Sequence, residues 1–123
     1  MAIESGWCEI KLTADGVAVL ELHRDHDLGT MDDVSAAFDD LAASERDVVL
    51  DLERTTFIDS AVVHAIYGFA ARQTDAGRRL VLHLGRESAV RRVLDVVGLL
   101  EHVPSADDLE DAIALLQDEP RRG

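Results

Sequence analysis

Val48, Val49, Leu50 and Leu52 form an apolar run interrupted only by Asp51, a pattern that suits a buried strand of an α/β sheet. From Val62 the period changes. Ala65, Ile66, Phe69 and Ala70 fall three, four, seven and eight positions on, which marks one face of a helix. Between the two lies Phe57-Ile58-Asp59-Ser60, so an acid and a hydroxyl occupy a corner where strand gives way to helix. The first N–H groups of such a helix have no intrahelical partner and its dipole favours negative charge, so a serine there can cap the helix or carry an anion.

The same reading extends to the rest of the chain. Cys8–Leu12 and Gly16–His23 are short strand candidates, separated by Thr13-Ala14-Asp15-Gly16, whose Asp-Gly pair signals a hairpin. After the polar segment Arg24–Thr30, Thr30 with Asp33 fits a helix N-cap, and Met31, Val34, Phe38 and Leu41 carry an apolar stripe to about Ala43. The central helix is expected to stop near Asp75-Ala76-Gly77, with glycine in the left-handed cap. Arg78–Leu84 reads as a strand broken by Gly85. Ser88–Val97 reads as a short helix with Val90, Val93, Leu94 and Val97 facing inward, closed by Gly98. A brief strand at His102–Pro104 precedes a last helix capped by Ser105 with an inward stripe of Leu109, Ile113 and Leu116. The order β-β-α-β-α-β-α-β-α predicts an α/β fold: a mostly parallel central sheet of four to five strands, an edge hairpin strand and about four helices. Neither repeat nor linker interrupts it, so residues 1–123 read as a single domain with a core over about 7–117 and a tail at 118–123.

Composition narrows the function. The 123 residues are enough to bury a core without staples, and no charge-free run is long enough to span a membrane. The N-terminus lacks the pattern of a signal peptide, which places the product in the cytoplasm. Cys8 stands alone, so neither an internal disulfide nor a cysteine metal cluster is expected. Twelve basic against twenty-five acidic residues give a net charge of −13, which argues against nucleic acid and anionic membranes and is compatible with a basic protein partner. Asp32, Asp33, Asp39 and Asp40 read as a solvated helix face, Arg91 and Arg92 as surface residues, and Trp7 and Tyr67 as packing residues.

Candidate chemistry is sparse. His23, His26, His64, His83 and His102 share no metal-binding spacing with a cysteine or glutamate, and no glycine-rich phosphate loop occurs, so no metal and no cofactor is expected. His64 falls four residues after Ser60, near enough on a helix to pair with it, yet no nucleophile elbow surrounds the serine. Asp27 and Asp59 both end strand candidates that lead into helices. They read as caps, or as a carboxylate pair able to bind a cation or polarise a serine.

The stretch V-V-L-D-L-x-x-T-x-F-I-D-S from Val48 to Ser60, the helix after it, and R-x-V-L-D-V-V-G-L from Arg92 to Leu99 resemble the STAS domain, found in bacterial anti-sigma factor antagonists and sulphate transporters. The resemblance implies a STAS-like fold and a protein-binding module that is not an enzyme. It further implies that Ser60, after Asp59, is the residue phosphorylated by a partner kinase, and that Asp27 and Thr30 match the acid and threonine of the segment after the second strand. Typical members continue after Asp-Ser with small residues and glycines; this chain has Ala61, Val62, Val63 and His64. The implied docking surface comprises Asp27, Thr30, Asp59, Ser60, Ala61, Val62, Val63 and His64. Its implied partner is an anti-sigma factor that is also a serine kinase, bound when Ser60 is unmodified and released on phosphorylation, with a serine phosphatase restoring the bound form. The alternative is a STAS subunit docked permanently on a larger assembly such as a lipid transporter ATPase, with Ser60 only a helix cap.

Overall fold

The computed structural model describes residues 8–26 and 31–118. Strand β1 (Cys8–Leu12) turns back onto β2 (Ala18–Leu22), and the pair is antiparallel, with Ile10 opposite Leu20. Gly16 makes the turn at φ +85°, a conformation that side chains disfavour, while the Thr13 hydroxyl accepts from the Val17 amide at 3.1 Å. The expected hairpin therefore forms at the expected Asp-Gly pair.

A short strand β3 (Arg24–His26) follows, then helix α1 (Met31–Ala43), β4 (Val48–Asp51), β5 (Thr55–Ile58) and helix α2 (Ser60–Asp75). Strand β6 (Leu80–His83), helix α3 (Arg91–Val96), a 3-10 turn at Leu99–Glu101, β7 (Ser105–Ala106) and helix α4 (Leu109–Asp118) complete the chain. The main sheet runs β1-β2-β4-β6-β7, and every pair after the first is parallel. This is the α/β architecture with a mostly parallel sheet and an edge hairpin strand that the sequence pattern predicts.

The alternation of side chains along each strand divides the core between the two faces of the sheet. Leu20, Leu50, Leu82 and Leu84 meet Val34, Phe38 and Leu41 of α1, Val62, Ile66 and Phe69 of α2, and Val90 and Leu94 around α3. Val19, Val49 and Val81 meet Ala112 and Leu116 of α4 on the other face. Phe38 and Phe69 stack with ring centroids 4.6 Å apart, which locks α1 onto α2. Gln73 is buried at the end of α2, where its amide donates to the carbonyls of Arg46 and Arg79 at 3.0 and 3.1 Å. Gly77 follows at φ +74°, as expected for the left-handed residue after a helix.

Several expectations are corrected. The apolar run from Val48 does not lead straight into α2: it ends at Asp51, turns at Glu53-Arg54, and β5 then pairs in parallel with β3 as a second, two-stranded sheet. The last strand is Ser105–Ala106 rather than His102–Pro104, because Leu82 and His83 pair with those residues. Helix α3 is shorter than Ser88–Val97, and only Val90 and Leu94 of the expected inward set are buried. Val93 and Val97 are 40% and 47% exposed. In α4, Ala112 and Leu116 are the buried positions, with Leu109 and Ile113 packed beside them. Trp7 lies outside the described residues; Tyr67 is half-buried and packs on the core.

At the carboxyl end of the sheet, on the α4 side, the register aligns Glu9, Glu21, Asp51 and His83 in a row across four strands. Burial pushes the Asp51 carboxyl above its ordinary value, against the opposing effects of the Glu53 amide and His83. Burial also acts to raise Glu21, but hydrogen bonds from His23 and Lys11 outweigh it and hold that carboxyl below its usual range.

Candidate functional site

Helix α2 begins where β5 ends, and Asp59 makes the join. Its backbone is extended, at φ −100° and ψ −180°, and its Oδ1 accepts from the Val62 amide at 3.0 Å. Its carbonyl accepts from the Val63 amide at 3.1 Å, the first bond of the helix. Asp59 is thus the N-cap, as its place at the end of a strand suggested, and of the two roles open to Ser60 the cap is already filled. Ser60 is the first helical residue, exposed, and its hydroxyl has no hydrogen-bond partner among the described residues.

Replacing Asp59 by alanine should lower stability by about 0.5–2 kcal/mol, because the Val62 amide loses its acceptor, whereas Asp59→Asn should keep most of it. Chemical denaturation midpoints of the two variants check this. Equal midpoints would mean that the cap contributes nothing.

The side chains around Ser60 sort by helical phase. His64 is exposed one turn along and Tyr67 is half-buried on the same side, so Ser60, His64 and Tyr67 form an outward stripe. The Tyr67 hydroxyl donates to the Val97 carbonyl at 3.3 Å, which brings α3 alongside; there Val96 is 75% exposed. Ala61 is half-buried, whereas Val62 and Val63 are buried at 0% and 7% exposure, turned into the core. The expected contact set is corrected accordingly: the two valines anchor the helix and do not offer side chains to a partner. Asp27 and Thr30 lie outside the described residues. Of the sequence around them, the structure places His26 in register with Ile58, the residue before Asp59. Among the described residues no hydrogen bond joins Ser60 to His64.

Two features escape a reading by periodicity. Phe57, on β5, is 50% exposed just before the corner. A groove of about 220 Å³ between α1 and α2 is lined by Phe38, His64, Gly68 and Phe69 and by Arg72 and Asp39, which form an ion pair at 2.9 Å. An exposed aromatic flanking a helix start was the available signal for the first; the second depends on how two helices pack.

The amides of Val62 and Val63 are occupied by Asp59, so the helix-start donors left for an anion on Ser60 are those of Ser60 and Ala61. Among the described residues no helix is long and apolar enough to cross a membrane.

The family model for the STAS domain matches residues 10–112. Among solved structures, an anti-sigma factor antagonist from Mycobacterium paratuberculosis superposes with a TM-score of 0.79 at 21% identity, covering 94% of this chain and 100% of its own. The anti-sigma factor antagonist SpoIIAA in its unphosphorylated form gives 0.73 at 16% identity, covering 91% and 99%. The Bacillus cell fate determinant SpoIIAA in its phosphorylated form gives 0.67 at 19% identity, covering 88% and 97%. No curated protein matches the sequence.

Proposed function

This chain belongs to the STAS domain family, and on that premise we propose that it is an anti-sigma factor antagonist whose docking to a serine kinase is switched at Ser60. The observation that carries the reading is the exposed Ser60 hydroxyl at the start of α2, directly after the N-cap Asp59. That solved structures of similar fold include an antagonist in both phosphorylated and unphosphorylated forms supports it.

In this reading the unmodified corner presents Ser60, the half-buried Ala61, and His64 to the kinase, with Phe57 and the valines of α3 supplying apolar area nearby. The kinase transfers the γ-phosphoryl group of ATP to the Ser60 oxygen, which gives up its proton, and ADP leaves. The surface gains about −1.5 to −2 charges beside Asp59. The Ser60 and Ala61 amides and the helix dipole accommodate that charge without refolding. At the interface, however, a dianion pressed against apolar or acidic groups costs several kcal/mol, so the partner lets go. Hydrolysis of the phosphoester by a phosphatase restores the docking surface. The domain itself binds and is acted upon; it carries out no reaction.

Incubation with the serine kinase that co-purifies with it, together with ATP, should add one phosphate to Ser60 and none to a Ser60→Ala variant, as read by mass spectrometry. A phosphate found elsewhere, or none at all, removes the switch. Recovery of a transporter ATPase in place of a kinase would favour permanent docking.

A further inference from the structure

The carboxyl ends of β4 and β6 bring together three side chains that are far apart in sequence. Asp51 and His83 are register partners, buried at 7% and 3% exposure, and Glu53 lies in the turn just after Asp51. One ligand atom from each lies within 4.8 Å of the others. The histidine is the informative member. Its Nε2 faces the Asp107 carbonyl at 3.2 Å, and since a carbonyl can only accept, Nε2 carries the proton. Its Nδ1 is buried without a hydrogen bond, 2.9 Å from Asp51 Oδ1. In the neutral ring that nitrogen is a lone pair, close to a carboxylate oxygen but not hydrogen-bonded to it. A proton can satisfy both atoms, and so can a metal cation, for which Glu53 supplies a third donor within 4.8 Å.

We infer that Asp51, Glu53 and His83 form a binding site for a divalent transition cation of the Zn²⁺ class. Donors about 2.0–2.2 Å from a tetrahedral zinc ion lie about 3.3–3.6 Å apart, so the His83–Asp51 pair, now 2.9 Å apart, opens by roughly half an ångström to admit the ion. An imidazole nitrogen among the donors favours Zn²⁺ over Mg²⁺ or Ca²⁺, which take oxygen ligands. The Nε2–H bond to a backbone carbonyl is the outer contact that fixes the tautomer of a metal-bound histidine. Access is built in as well. Glu53 is exposed and lines a cleft of about 430 Å³ with Gly85, Ser88 and Asp107. Gly85, at φ +75°, leaves the space that the Glu53 side chain crosses: a Cβ there would stand 3.0 Å from Glu53 Cγ. The neighbouring Glu9, Glu21 and His23 group is a poorer site, because Glu21 is already held by Lys11 at 3.0 Å and His23 at 2.9 Å. The inference is independent of any modification at Ser60.

The test is titration of the chelator-treated chain with ZnCl₂ by calorimetry, together with ¹⁵N spectra of the histidines. One equivalent should bind, and the Nδ1 resonance of His83 should move while Nε2 keeps its proton. Glu53→Gln changes an exposed residue and leaves the fold intact, so it should weaken binding by about tenfold or more. A His83 Nδ1 signal unmoved at saturating Zn²⁺, or a Glu53→Gln chain that binds as the native chain does, overturns the site and leaves a buried imidazolium–carboxylate pair.

Discussion

Aspartate in place of Ser60 should weaken binding to the proposed kinase partner about a hundredfold, a loss of about 2.7 kcal/mol, while shifting the stability of the domain by no more than about 0.5 kcal/mol. The two effects separate because of where Ser60 sits. It is exposed, has no hydrogen-bond partner among the described residues, and occupies the first position of α2, where a carboxylate meets the positive end of the helix dipole. The folded domain therefore tolerates the charge, whereas an interface that covers the corner must desolvate it. Ser60→Ala should bind as the unmodified chain does and lose only the ability to be switched. Calorimetric titration of the partner with each variant, alongside a denaturation curve, checks both halves. A Ser60→Asp chain with native affinity would show that the corner does not work by repulsion.

The corner was legible because two periods meet there: four apolar residues in a buried strand, then a helical stripe, with Asp59-Ser60 between them. What periodicity could not deliver was the second small sheet. Strand β3 is Arg-Asp-His and β5 has only Thr55 and Ile58 buried, so neither carries an apolar run, and each is a strand by pairing with the other. The sequence offered two caps for α2, Asp59 and Ser60. Aspartate and serine both cap helices, and only the bond from the Val62 amide decides between them. In α3 the helical phase is set by Val90 and Leu94 reaching the core, which turns Val93 and Val97 outward although all four are apolar. The Asp51–His83 pair lay beyond any search for close spacing, because strand register and not sequence brings those residues together. The lone acid in the run Val48–Leu52 was its available signal.

Phe69→Ala should produce the opposite split from Ser60→Asp: a cost of about 3–5 kcal/mol in stability with little change in the affinity of the molecules that remain folded. Phe69 is 1% exposed and lies parallel to Phe38, so its removal leaves a cavity between α1 and α2 and ends the stacking. Such a loss is a large part of the 5–15 kcal/mol that holds a typical domain, so the variant should be marginal at physiological temperature. Ser60 stands on the same helix but draws its position from the first turn, where Asp59 caps the helix and Val62 enters the core. Denaturant midpoints give the stability, and titration at low temperature, where the fold persists, gives the affinity. If affinity fell by more than the unfolded fraction accounts for, then the stacked pair would be transmitting the orientation of α2 to the docking corner, and the switch would extend along the whole helix rather than residing at its first turn.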